Sequence, residues 1–244
     1  MKPILLLPLA LALPAFAGTP APVTAPPSNP CLMSWFAGAS VGYLTELEEP
    51  MYTVHVGVTN SCWMLGGWNV GVFAEVGYTH KDDDYQDLGR ENLKPIKVGH
   101  DNSFSVDEMG AALQSLATYN GIYHNQWNPN TGYDLDIVPI TLNVRFQRAL
   151  SGNLNAYFGG GLGVACVSLD INAGGYYGSY SDTAWVFCGQ VFAGLSYSVS
   201  PAFQIYGGAR WLYVSDAKVS DKGEHATLEL GSDCLLELGA CYKF

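Results

Sequence analysis

The sequence predicts an all-β fold: a closed antiparallel eight-stranded transmembrane up-and-down β-barrel, with one long surface loop containing a short helix. Three observations predict it. Eight segments of about ten residues alternate apolar and polar side chains, the pattern of a strand with one greasy and one polar face. Aromatic residues recur at both ends of the apolar face, strand after strand. Three of the four connections at one end are long and polar, the first, around Glu46 to Pro50, being short but acidic, and those at the other end are short. Mean hydropathy is near zero, but a transmembrane barrel hides its lipid face in every second residue, so the average does not report it.

The first strand is expected from Ser34 to Leu44, with Trp35, Ala37, Ala39, Val41 and Tyr43 on one face and Phe36, Gly38, Ser40 and Gly42 on the other. The second, Met51 to Asn60, sets Tyr52, Val54, Val56 and Val58 against Thr53, His55 and Gly57. The third, Trp68 to Thr79, sets Val70, Val72, Ala74 and Val76 against Asn69, Gly71, Glu75 and Gly77. The fourth, near Asp134 to Gln147, sets Val138, Ile140, Leu142, Val144 and Phe146 against Thr141, Asn143 and Arg145. In the fifth, near Asn155 to Asn172, the parity switches around Gly159-Gly160-Gly161, which predicts a β-bulge there. The sixth spans Thr183 to Val199 and the seventh Ala202 to Val214. The eighth is the clearest: Leu228, Leu230, Cys234, Leu236, Leu238, Ala240, Tyr242 and Phe244 share one parity, and Glu229, Gly231, Asp233 and Glu237 the other.

On the apolar parity Trp35 pairs with Tyr43, Trp68 with Tyr78, Trp185 with Tyr197, and Phe203 with Tyr213, each pair eight to twelve residues apart. Ten tilted residues climb roughly 23 Å, which matches the ~25 Å apolar band between aromatic girdles. The core of a soluble sandwich also alternates, but it has no reason to set aromatic residues at both ends of each strand. With the termini on the periplasmic side, the turns Ser61 to Gly67, Ala149 to Leu154 and Ser200-Pro201 are short, whereas Lys81 to Gly132, Ala173 to Asp182 and Ser215 to Ala226 are longer and polar.

The chain divides into residues 1–17, 18–30 and 31–244. Lys2, the apolar run Ile4 to Leu13 and the small-residue site Ala15-Phe16-Ala17 read as a signal peptide. Gly18 to Pro30 is a Pro-rich periplasmic linker that cannot build a core. The remainder is the barrel. There are 22 acidic and 11 basic residues. That balance disfavours nucleic acid as a partner. Ser105-Val106-Asp107-Glu108 reads as a capping box, followed by Met109, Leu113 and Leu116 at helical spacing, so a short helix is expected from Val106 to Thr118.

The chain ends Glu237-Leu238-Gly239-Ala240-Cys241-Tyr242-Lys243-Phe244. Glu237, Gly239, Tyr242 and Phe244 fill the positions of a polar-x-Gly-x-x-aromatic-x-aromatic pattern that resembles the outer-membrane assembly signal. From about Cys31 to Phe244 the chain resembles the OmpA/OmpX-type eight-stranded barrels, the porin-like outer-membrane β-barrel family, without a periplasmic OmpA-type domain. The resemblance implies the outer membrane of a diderm bacterium. It also implies contact with outer-membrane lipid and lipopolysaccharide, and the barrel-assembly machinery as a partner in biogenesis. A monomer with a structural or surface-interaction role is expected, its 81–132 loop meeting an extracellular ligand. A narrow diffusion pore is the first alternative and a lipid-A-modifying enzyme the second. Resemblance to a lipid-A deacylase would require a His-x-Ser pair, and His225-Ala226-Thr227 has Thr in place of Ser. No catalytic residue, cofactor or metal site is expected.

The lumen-facing parity holds Glu75, Arg145, Arg210, Glu229, Asp233 and Glu237. Eight strands enclose a space that side chains fill, so charges there must pair. A last hairpin turning near Ser220 would set Arg210 opposite Glu229, the ion pair expected first. Asp82-Asp83-Asp84 with Asp87 lacks the spacing and turn glycine of a calcium loop and reads as a solvated charge run. Disulfides are expected at Cys31–Cys62 and Cys166–Cys188, though spacing does not fix connectivity and Cys241 is the alternative partner for Cys31. Cys234 has lipid-facing parity.

Overall fold

Strands with one apolar face and one polar face leave no edge unpaired only if the sheet closes on itself. A computed structural model of the chain shows that closure. It describes residues 31–84, 103–105, 132–172, 179–221 and 224–244. The expected signal peptide and linker, the helix at Val106 to Thr118, and Asp87 lie outside these residues. The strands are β1 (Met33–Leu44), β2 (Pro50–Leu65), β3 (Trp68–Asp84), β4 (Ser103–Ser105), β5 (Gly132–Ser151), β6 (Leu154–Asn172), β7 (Ser179–Ser198), β8 (Phe203–Val214), β9 (Ala217–Asp221), β10 (Glu224–Glu229) and β11 (Gly231–Lys243).

Eight of them form a closed antiparallel ring in the order β1-β2-β3-β5-β6-β7-β8-β11. The ring closes where β11 pairs with β1, Ala240 opposite Ala39, and Phe244 N–H donates to Trp35 O at 3.0 Å. The remaining three strands make a small sheet at the end away from the termini, in which β10 pairs antiparallel with β9 and parallel with β4.

Period-two geometry sorts the side chains. Leu142, Leu162, Leu236 and Leu238 on the outer face are 63, 65, 64 and 71% exposed, whereas Phe36, Asn143 and Leu235 on the inner face are at 0%. Large apolar residues facing outward all around a ring, over a sealed interior, invert the burial pattern of a protein that folds in water.

The Gly159-Gly160-Gly161 run is not a bulge. β6 pairs without interruption with β5 and β7 across it. The inward glycines make room instead: a side chain on Gly161 would collide with the Asn143 carboxamide, and one on Gly159 with the Phe192 ring. The parity is constant, and it is the surroundings that change. Leu162 and Val164 face outward in the belt, while Ala165, Val167 and Leu169 of the same strand point inward to an apolar plug at the mouth. Above the belt the outer face is polar, as at Asp134 and Asp170.

The eighth strand is also broken. Gly231 takes a φ of +67°, a conformation that glycine reaches without steric cost. Beyond it the β9–β10 hairpin reverses its faces, and Leu228, of lipid-facing parity, is buried in the plug against Ala217 and Leu235.

Candidate functional site

The lumen is layered. Above the middle, toward the end away from the termini, lies the plug, which includes Leu44, Met51, Leu135, Ile137, Leu212 and Leu235. Toward the termini lies a cluster of Phe36, Phe73, Tyr157, Phe192 and Cys241, with Tyr206 packed on it. Between them is a buried polar layer centred on Arg210 of β8.

Arg210 Nη2 donates to Glu237 Oε2 at 2.8 Å and to Glu75 Oε2 at 3.2 Å, and Nη1 donates to Gln190 Oε1 at 2.8 Å and to Glu75 Oε1. Gln190 Nε2 lies within hydrogen-bonding distance of Glu75 Oε1, Asn143 Oδ1 and Thr141 Oγ1. Ser40 donates to Glu237 at 3.3 Å and shares a 2.6 Å hydrogen bond with Thr53. Side chains from every ring strand but β6 are thereby tied together, and β6 contributes the clearance of its glycines. In a low-dielectric interior a cation between two carboxylates, with their remaining lone pairs taken by amides and hydroxyls, is the arrangement that offsets desolvation.

Of the six charges expected in the lumen, Glu75, Arg210 and Glu237 meet in this layer. The Arg210–Glu229 pair does not form. The last hairpin closes between Asp221 and Glu224 rather than near Ser220, so Arg210 lies opposite Leu235. The face reversal at Gly231 leaves Glu229 exposed. Arg145 joins no carboxylate among the described residues; its guanidinium stacks 4.7 Å from the Phe36 ring centroid. Asp233 serves the mouth. It accepts hydrogen bonds from the backbone N–H groups of Thr45, Glu46 and Leu47 at 2.9, 2.9 and 3.0 Å, and from the Thr45 hydroxyl at 3.0 Å. It thereby holds the β1–β2 turn.

Asp233→Ala is expected to cost about 1.5–3 kcal/mol, the range for hydrogen bonds to a charged group. The freed turn carries Glu46, Glu48 and Glu49, so a glutamate-specific protease should cut there in the variant and spare the parent chain.

Sequence reading missed Gln190, and it listed Ser40, Thr53, Thr141 and Asn143 only as polar-face positions. Their signal was a polar side chain on the lumen parity. Gly239 of the terminal motif also acquires a physical role, because a side chain there would strike the Tyr206 ring.

Cys31 and Cys62 form a disulfide. Cys166 and Cys188 are free. The register sets Cys166 opposite Trp185 and Cys188 opposite Gly163, and the two cysteines point to opposite faces of the sheet. Cys241 is buried in the aromatic cluster, and Cys234 faces outward.

A cavity of about 130 Å³ opens at the mouth between apolar walls that include Leu44, Met51 and Ile137 and polar groups at Lys81, Glu46 and Glu229. On the outer face, His80 Nδ1 lies 2.9 Å from Asp136 Oδ1, and one ligand atom each of His80, Asp82 and Asp134 fall within 4.8 Å of one another.

No protein-family model matches the chain, and no curated protein matches it. Solved structures do. The chain is similar to a major outer-membrane protein of Thermus thermophilus, at 14% identity and a TM-score of 0.55, over 87% of this chain and 100% of that one. Neisserial surface protein A matches at 12% identity and a TM-score of 0.44, over 88% and 99%. Ail, the attachment invasion locus protein of Yersinia pestis, matches at 13% identity and a TM-score of 0.40, over 87% and 97%. The fold is that of the outer-membrane β-barrels.

Proposed function

We propose that this chain is a monomeric integral outer-membrane barrel with a structural or surface-interaction role, its lumen sealed and its recognition carried by the segments at the mouth. One observation carries the reading: the outer wall is an apolar belt while the lumen is crossed by an apolar plug and, beneath it, a buried ion-paired layer. A belt of this kind is stable only against lipid. A lumen that holds an apolar plug above a paired Arg210–Glu75–Glu237 layer leaves no wetted path for an ion. The termini lie on the periplasmic side in this reading, because the long connections gather at the opposite end. A non-enzymatic role is part of the proposal.

Planar-bilayer recording tests it. The purified protein is expected to insert without steady conductance. Stable channels that change with Arg210→Ala would establish a pore instead. Lipid-A mass spectra altered by overexpression would establish an enzyme.

A further inference from the structure

Below the Arg210 layer lies a cavity of about 20 Å³ whose lining includes His55, Glu75, Arg145, Tyr157, Tyr206 and Arg210. Both ring nitrogens of His55, Arg145 Nη2, Tyr157 Oη and Arg210 Nε are buried without a hydrogen-bond partner among the described residues. Five such atoms on four residues that all line one void are not independent accidents of packing: buried polar atoms are paired as a rule, and each orphan needs an explanation.

These groups cannot turn to each other. Tyr157 is wedged by ring contacts with Phe192 and Tyr206, centroids 6.3 and 6.1 Å away, and its hydroxyl fills the space where a side chain on Gly194 or Gly208 would stand. Arg145 is held over Phe36. The ring of His55 is packed among those of Phe36, Phe73 and Tyr206.

We propose that this cavity is a built water site, in which bound water is the missing partner of Tyr157 and Arg145 and bridges them to His55. The size fits, since one water needs roughly 10–15 Å³ of such volume and two to four polar partners. The chemistry favours water over an anion. By formal charge Glu75 and Glu237 balance Arg145 and Arg210, so an anion would add an uncompensated buried charge. A neutral His55 has one nitrogen that only accepts, and a halide has no proton to donate to it. Water both donates and accepts. The site does not depend on whether the barrel conducts.

Two measurements test it. In a crystal grown with bromide, at a resolution that shows ordered water elsewhere in the barrel, a peak without anomalous signal is expected within hydrogen-bonding distance of Tyr157 Oη and Arg145 Nη2. A bromide peak there, or no peak, would overturn the proposal. Tyr157→Phe gives a test by sign. If water satisfies the hydroxyl, its removal lowers the urea midpoint of unfolding and abolishes the peak. If the hydroxyl is an unsatisfied buried group, the variant unfolds at the same or a higher urea concentration, and the proposal fails.

Discussion

Arg210→Met should destabilise the barrel by about 3–5 kcal/mol, the cost of stranding buried charge when one member of an ion pair is removed. Arg210 is 3% exposed, and both of its carboxylate partners, Glu75 and Glu237, are 4% exposed. Methionine fills much of the same volume but leaves two carboxylates facing each other across a closed lumen. The measurement is the urea midpoint of the refolded protein, together with the temperature at which its compact gel band is lost. The triple variant Arg210→Met with Glu75→Gln and Glu237→Gln separates charge from packing. It should recover most of the loss, because replacing a whole buried ionic set by uncharged groups of similar volume is often neutral. A single variant as stable as the parent chain would mean that the layer is wet, and the sealed-lumen reading would fall with it.

Leu142→Arg should cost about 2–4 kcal/mol in a bilayer and block insertion, the penalty for a cation on the lipid face near the midplane. Leu142 is 63% exposed and pairs with Ala74, midway between Trp68 and Tyr78 on β3. On a water-facing surface the same change would be neutral to within about 0.5 kcal/mol. The two outcomes decide what covers the belt. Yield of folded protein in vesicles, compared with an Asp134→Arg control above the belt, reads the difference.

The strands were legible because alternation is local. Trp35 to Tyr43, Trp68 to Tyr78 and Leu236 to Phe244 each declare two faces whatever the rest of the chain does. Glu75, Arg210 and Glu237 were legible as lumen charges for the same reason. The failures share a cause as well. The parity of β6 looked switched because Ala165, Val167 and Leu169 are apolar although they keep the inward parity of Gly159 and Gly161, and only the tertiary structure shows the apolar plug they face. Gly161 looked like a bulge because its true neighbour, Asn143, belongs to another strand. Cys166 and Cys188 were expected to pair, but the register sets Cys188 three residues beyond the position opposite Cys166, and an odd offset sends the two to opposite faces.

By itself the sequence determined that each strand has two unlike faces and that eight such strands must close on themselves, since the period of two is a property of one extended backbone and needs no partner. Which charges meet inside was decided only by the tertiary structure. Arg210 reaches Glu75 across the lumen and Glu237 on the neighbouring strand, rather than Glu229, because register, closure and the reversal at Gly231 set the height and facing of every inward side chain. Those quantities depend on all the strands at once.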